Sequence, residues 1–234
     1  FGLIIIGDEI IRGKRQDKHL AKAIDILGAR GLKLDWAQYI GDDRALITAT
    51  LARTFASADV VFSFGGIGAT PDDHTRQCAA AALGTDLVLH PAAEAELRAR
   101  WGAETTPQRL RMGEFPRGAA IIPNPYNRVP GFSCAEHYFV PGFPEMAWPM
   151  MEWVLDTNYA HLFNRVAEAD ASIMVYDSAE STLTPLMEKL EAAYQDIKVY
   201  SLPSMGEHGV RRHIELGARG EAMVKVERAS RISS

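Results

Sequence analysis

Hydrophobic positions near the start of the chain change period in a regular way. Residues 2–6 form an apolar run closed by Gly7, as a buried strand does. Leu20, Ile24 and Leu27 recur at helical spacing within 18–30, and Gly31 ends that segment. Residues 32–40 read as a second strand. Ile47, Leu51 and Phe55 share one face of a helix over 44–56, which Asp42 can cap. Residues 59–64 are almost continuously apolar, as a strand covered on both faces requires. An alanine-rich helix over 72–83 follows. This alternation predicts a three-layer α/β/α fold with a mostly parallel sheet and right-handed crossovers.

After Pro91 the pattern is less regular. Residues 92–102 and 145–156 read as helices, and 119–123 and 137–141 as strands separated by a Pro/Gly/Asn-rich loop. Residues 103–117 have no clear period. A boundary falls over 160–168. Beyond it, a strand at 169–177, a helix at 181–195 and strands at 197–203 and 211–217 predict a small α+β domain. The expected organisation is a main domain over 1–163 and a small C-terminal domain over 164–234.

Composition narrows the function classes. Twenty-five basic and 30 acidic residues give a net charge of −5, without the basic excess of a nucleic-acid binder. No apolar run approaches the roughly 18 residues of a membrane span. The run Leu3–Ile6 is too short for a signal-peptide core. Cys78 and Cys134 form neither a disulfide framework nor a metal-ligand spacing. A cytoplasmic protein with no nucleic-acid or membrane partner is expected.

The unusual residues gather in turns after strands. Gly7-Asp8-Glu9, Gly41-Asp42-Asp43, Gly65-Gly66-Ile67-Gly68 and Pro141-Gly142 each follow one, and ligands of open parallel sheets bind outside the carboxyl ends of the strands. Glycines let backbone N–H groups approach an anion, and the start of the next helix favours negative charge. A phosphate is the natural guest. The Walker lysine is absent, and the dinucleotide fingerprint would place its glycines after the first strand. Thr70, Pro71 and Asp73 also match a helix cap, and the two readings are compatible. Asp8, Glu9, Asp42, Asp43, Asp72 and Asp73 would repel a phosphate unless a divalent cation lies between them, which suggests a Mg²⁺-assisted phosphoryl site. Arg12, Lys14, Arg15 and Lys18 are either a solvated loop or compensating charge for such a ligand. Asp17 is placed to cap the first helix. Glu207, His208 and His213 lack zinc-ligand spacing.

Together the Gly-Asp-Glu opening, Gly13, Asp17, Gly41-Asp42-Asp43 and the block Gly65–Thr75 resemble the molybdopterin-binding domain of the MoaB/Mog-like superfamily over about residues 1–160. The opening turn and the paired aspartates before Thr75 look most like its CinA-like branch (competence/damage-inducible). The resemblance implies a site for a phosphate-bearing nucleotide or pterin. Gly7, Asp8 and Glu9 would contact it from one turn, and Gly65, Gly66, Ile67, Gly68, Thr70 and Thr75 from another. Asn124, Arg128, Pro141 and Gly142 would complete it. Asp42 and Asp73 would be the catalytic pair, holding Mg²⁺ or another divalent metal together with Asp72. The CinA-like branch implies a hydrolase, a metal-dependent pyrophosphatase acting on ADP-ribose and related nucleotides. The Mog-like branch implies instead molybdopterin as ligand, bound or adenylylated in molybdenum cofactor biosynthesis. A non-catalytic binding module is the third reading. A homo-oligomer, dimer or trimer, is expected.

The chain departs from the family pattern at named places. Ile67 stands where the family has Thr or Leu, and Ala69 where CinA-like proteins have Pro. Asn127 and Arg128 replace Gly-Thr in the segment Asn124–Phe132, and Arg128 offers an added phosphate contact. Pro141-Gly142-Phe143-Pro144-Glu145-Met146 is one residue shorter than the family's segment. The amidase domain of full-length CinA-like proteins is not expected within residues 1–234.

Overall fold

A computed structural model describes residues 1–164, 169–206 and 211–220. The chain forms two compact units, Phe1–Phe163 and Asn164–Ser234. The first unit begins with β1 (Gly2–Ile6), the single turn α1 (Asp8–Ile11), α2 (His19–Gly28), β2 (Trp36–Ile40), α3 (Arg44–Phe55), β3 (Val61–Phe64) and α4 (Thr75–Leu83). It continues with β4 (Leu87–Leu89), α5 (Pro91–Trp101), α6 (Pro107–Leu110), β5 (Glu114–Pro116), β6 (Ala120–Ile122), β7 (Gly131–Cys134), β8 (His137–Val140) and α7 (Pro144–Asn158).

Its six-stranded sheet has the order β2-β1-β3-β8-β7-β6. The first four strands are parallel, β7 pairs antiparallel with β8, and β6 pairs antiparallel with β7. Successive residues of β1 point to opposite faces, so an all-apolar strand must be covered twice. Leu3 and Ile5 pack with α2 and α7, alongside Phe62, Phe64 and Met150. Ile4 and Ile6 pack with α3 and α4, alongside Phe139, Ile47 and Ala79. The expected three-layer architecture is present. Because β2 lies on one side of β1 and β3 on the other, the chain reverses direction across the sheet at β1, and the crevice for a ligand opens there.

Several elements differ from the sequence expectation. The second strand starts at Trp36 rather than residue 32, because Gly31 to Asp35 serve the turn after α2 and Asp35 N–H donates to Phe1 O. Residues 131–134, not predicted as a strand, pair with both β6 and β8. Gly131 belongs there because a Cβ would lie 2.3 Å from Phe139 O. The aperiodic region 103–117 holds α6 and β5, and β5 pairs with the three-residue β4.

In the second unit, β9 (Ala169–Tyr176), α8 (Glu180–Ala193), β10 (Ile197–Ser204) and β11 (His213–Gly220) make an antiparallel sheet of order β10-β11-β9. Leu190, Ile197 and Ala218 form its core. Glu207 and His208 lie outside the described residues. Among the described residues, no helix is long and apolar enough to cross a membrane.

Phe132 stacks between Phe115 and Phe139, with centroid distances of 4.8 and 4.3 Å, and is fully buried. Phe132→Ala should lower unfolding free energy by about 3–5 kcal/mol in urea denaturation of the first unit's transition. A loss below about 1 kcal/mol would mean that β7 is not part of the core.

Candidate functional site

Four turns meet at the carboxyl edge of the parallel strands. The first, after β1, begins with Gly7, whose N–H donates to Ile40 O at 3.1 Å. The second, after β2, brings Asp42 beside it. Asp8 N–H donates to Asp42 Oδ2 at 2.8 Å, and Asp42 N–H donates back to Asp8 Oδ1 at 3.3 Å. The approach is close at Gly41, where a Cβ would stand 2.5 Å from Asp8 Oδ1 and would displace that carboxylate. The expected cap assignment shifts by one residue. Asp43, not Asp42, caps α3 by accepting from Leu46 N–H at 2.7 Å. Asp42 is thereby left for the site. Burial lifts the proton affinity of its carboxyl above the usual range, and the charges of Asp8, Glu9 and Asp72 lift it further against the pull of Asp8 N–H.

The third turn runs from Gly65 to His74 and also corrects the sequence reading. The helix starts at Thr75 rather than residue 72, so Thr70 is not its cap. Thr70 and Asp73 instead close a turn of their own. Thr70 N–H donates to Asp73 Oδ2 at 2.9 Å, its hydroxyl donates to the same oxygen, and Asp73 N–H returns to Thr70 O at 3.0 Å. Pro71 between them makes the tight turn and leaves helix initiation to the residues beyond.

Thr75 governs the direction of the glycine segment. Its hydroxyl donates to Gly65 O at 3.1 Å and its N–H to Gly66 O at 3.0 Å. In a trans peptide the carbonyl of one residue and the N–H of the next point in opposite directions. Fixing Gly65 O and Gly66 O against Thr75 therefore turns the N–H groups of Gly66 and Ile67 away from α4. Among the described residues, the N–H groups of Gly66, Ile67, Gly68 and Ala69 meet no protein acceptor. Gly65 N–H is satisfied by Val140 O at 3.0 Å. Gly66 must be glycine twice over: φ is +69°, and a Cβ would lie 2.2 Å from Thr75 Oγ1.

The fourth turn, Pro141-Gly142, lies against the third, with a Gly142 Cβ position 3.5 Å from Gly65 Cα. His19, at the start of α2, donates from Nε2 to Gly142 O at 3.1 Å and packs on Phe64. Its Nδ1 is buried without a partner among the described residues. Burial pushes its proton affinity below the usual range, outweighing the Gly142 carbonyl and the charge of Asp17. Asp17 accepts from the N–H groups of His19 and Leu20 at 2.8 and 3.0 Å, so the cap expected of it is made.

A cavity of about 320 Å³ opens between the first and fourth of these turns, with Ile6, Ile10, Phe64 and Phe143 as apolar walls. Arg15, Lys18, Glu9 and Glu145 supply its charged groups. The early basic cluster is thus divided. Arg15 and Lys18 line the cavity, whereas Arg12 pairs with Asp8 at 2.7 Å.

Two expected ligand residues have other partners. Asn124 is buried and holds its own loop together, donating to Asn127 Oδ1 and Val129 O and accepting from Tyr126 N–H. Arg128 donates to Glu96 Oε2 at 2.8 Å on the surface. Neither is brought to the glycine segment by these contacts. Among the described residues, no three His, Cys, Asp or Glu side chains converge as a metal cluster. His19 follows the early basic cluster in the sequence, and its bond to Gly142 O gives it a place of its own. One participant, Arg76, escaped the sequence reading. Arg76 had a signal, a charged residue three and four positions before Ala79 and Ala80 on the buried stripe of α4.

Two measurements follow from this geometry. Gly66→Ala should destabilise the first unit by about 1–3 kcal/mol from the left-handed backbone and the contact with Thr75. Urea denaturation checks this, and wild-type stability would remove the proposed role of Thr75. The second concerns pH. His19 is depressed in the folded state, so its contribution is present above its unfolded value of 6.5 and is lost as pH falls below it. Between about pH 7 and about pH 5 the melting temperature should fall, and His19→Gln should flatten that fall. His137, also buried and depressed, retains the rest of the slope.

Residues 2–161 match the family model described as a probable molybdopterin binding domain. A CinA-like protein of Anaeromyxobacter sp. (strain K) is 32% identical over 200 residues, covering 80% of this chain and 48% of that protein. Protein Ta0487 of Thermoplasma acidophilum is 28% identical over 231 residues, covering 94% of this chain and 87% of that protein. A crystal structure described as the protein CinA with unknown function, also from Thermoplasma acidophilum, is similar with a TM-score of 0.61 and 28% identity, over 66% of this chain and 96% of that one. The chain spans about half the length of the curated CinA-like relatives it matches. With the glycine-rich turn and the acidic turns at the carboxyl edge of such a sheet, this chain belongs to the probable molybdopterin binding domain family, in its CinA-like branch.

Proposed function

We propose that the first unit binds a phosphate-bearing nucleotide or pterin at the glycine-rich turn and hydrolyses a nucleotide pyrophosphate bond with a divalent cation. The observation that carries this reading is the run of N–H groups from Gly66 to Ala69 without protein acceptors, those of Gly66 and Ile67 turned away from α4 by the ties to Thr75. Such a run is a fitted cradle for phosphate oxygens. Its description as a probable molybdopterin binding domain fits a small, anionic ligand.

The residues present also fit a cation. Asp42 and Asp73 offer hard oxygen donors, and Asp72 adds negative charge beside Asp42. A cluster of three protein ligands is not needed for Mg²⁺, which uses one or two carboxylates and takes the remaining oxygens from phosphate and water. When bound, the ion supplies neutralisation of phosphate charge and polarisation of a P–O bond. The chain's own part is positioning. The amides of Gly66 to Ala69 hold the non-bridging oxygens, and Arg15 and Lys18 receive the further charge of a diphosphate. The cavity walls at Ile10, Phe64 and Phe143 take an organic moiety and exclude water from it. Attack by water on phosphorus breaks one P–O bond of the diphosphate. For ADP-ribose the products are AMP and ribose 5-phosphate.

Incubation of the full chain with ADP-ribose and Mg²⁺, Mn²⁺ or Co²⁺ should release AMP, and Asp73→Asn or Asp42→Asn should abolish release without loss of the fold. No product from any dinucleotide would sink the hydrolytic reading. A binding module without turnover, or a molybdopterin-adenylylating protein, is the second reading. It is favoured if nucleotide or pterin stabilises the chain by about 2.7 kcal/mol at a hundredfold excess over Kd while no hydrolysis product appears.

A further inference from the structure

Arg76 is the second residue of α4, and only 2% of it is exposed. Its Nη2 donates to Gly68 O at 2.7 Å. Its Nη1 donates to the carbonyls of Arg111 and Glu114, the latter at 3.3 Å. Nε is buried and has no partner among the described residues. Every acceptor it meets is a neutral carbonyl. Among the described residues no carboxylate forms an ion pair with it, and the charges of Glu114 and Asp73 act only from a distance. A guanidinium removed from water without a paired charge is unfavourable. Capping a loop carbonyl alone would not call for a charge at all.

The same peptide logic that applies to Thr75 applies one turn further on. Holding Gly68 O against Arg76 turns the N–H of Ala69 away from the guanidinium, and among the described residues that N–H, like those of Gly66 and Ile67, meets no protein acceptor. Gly68 carries no side chain in the way, and a Cβ there would stand 2.5 Å from Asp73 Oδ2. We propose that Arg76 is a positioning residue of the anion site. It aims the Ala69 N–H at the ligand, and its buried charge is the fixed counter-charge to a bound pyrophosphate. The inference rests on the reading that the glycine-rich turn holds phosphate. It adds that the site is tuned to highly charged anions, because the reward for filling it grows with the charge placed opposite Arg76.

Calorimetric titration of the full chain with inorganic pyrophosphate, inorganic phosphate and adenosine tests this. Arg76→Gln keeps donors for the carbonyls but removes the charge. In the folded variant, pyrophosphate affinity should fall roughly tenfold to a hundredfold, the size expected for losing a charge-assisted interaction. The loss should be smaller for phosphate and absent for adenosine, and Arg76→Lys should recover most of it. A lower melting temperature with unchanged pyrophosphate affinity, or an equal loss for all three probes, overturns the inference. If the variants do not fold, nitrogen-15 spectra of the wild type decide. The Ala69 amide and the Arg76 guanidinium should shift together on pyrophosphate titration, and an unmoved Ala69 amide overturns the inference. Wild-type protein that fails to bind pyrophosphate overturns the phosphate reading itself, whereas wild-type binding matched by Arg76→Gln overturns this inference alone.

Discussion

The direction of the glycine-segment amides depends on where its carbonyls are tied. Gly65 O and Gly66 O are held by Thr75, and Gly68 O by Arg76, both residues of the first turn of α4. Each tie fixes a peptide plane and so aims the following N–H outward. The geometry allows no side chain at Gly66, because the Thr75 hydroxyl occupies the space a Cβ would need. Glycine and threonine are therefore two halves of one constraint. The glycine permits the backbone to reach the helix, and the threonine decides which way its amides look. A glycine-rich turn without such ties would sample many orientations, and an anion would meet the entropy of ordering it on binding.

Electrostatics at this edge pull in two directions. The free amides and the buried Arg76 attract negative charge. Asp8 and Asp42 repel it, and their reciprocal backbone hydrogen bonds hold the two carboxylates close together. That closeness, with Glu9 and Asp72 nearby, is part of why the proton affinity of Asp42 rises. An isolated anion would gain from one set of groups and lose to the other. An anion accompanied by a divalent cation would gain from both. The physical case for a metal is thus a matter of charge balance between neighbouring turns, and it needs no preformed cage of protein ligands.

Most of the first unit was legible in the sequence because apolar strands buried on two faces and amphipathic helices have different periods. β1, β3 and α3 are read directly in this way. β7 was not, because its role is fixed by pairing partners rather than by period: Gly131 is there for the close approach of Phe139 O. The three-residue β4 and β5 are too short to carry a period at all. In the site, the composition of the turns was visible but not their hydrogen bonds. Asp42 and Asp43 are adjacent acids of equal capping ability, and only the path of the backbone decides that Asp43 caps α3. Thr70-Pro71-Asp73 has the residues of a helix cap, yet Thr70 and Asp73 satisfy each other before the helix begins. Arg128 is available as a cation in the sequence, and a distant residue, Glu96, takes it up.

The cavity beside the turn bears on which phosphate compound suits the site. Its lining includes Phe64, directly before Gly65, and Gly142, which packs on Gly65, so it lies next to the glycine-rich turn without being lined by it. Inorganic phosphate would use the amides and leave the apolar walls at Ile10 and Phe143 in water. A planar heterocycle alone would use the walls and leave the amides unpaired. A molecule carrying both, with a diphosphate close to an aromatic ring, satisfies amides, basic side chains and apolar surface together. Binding energy gathered along the organic part can then hold the diphosphate in place while the charged groups act on it. The proposed preference for a nucleotide pyrophosphate over simple phosphate esters rests on that neighbourhood of an apolar cavity and a glycine-rich turn.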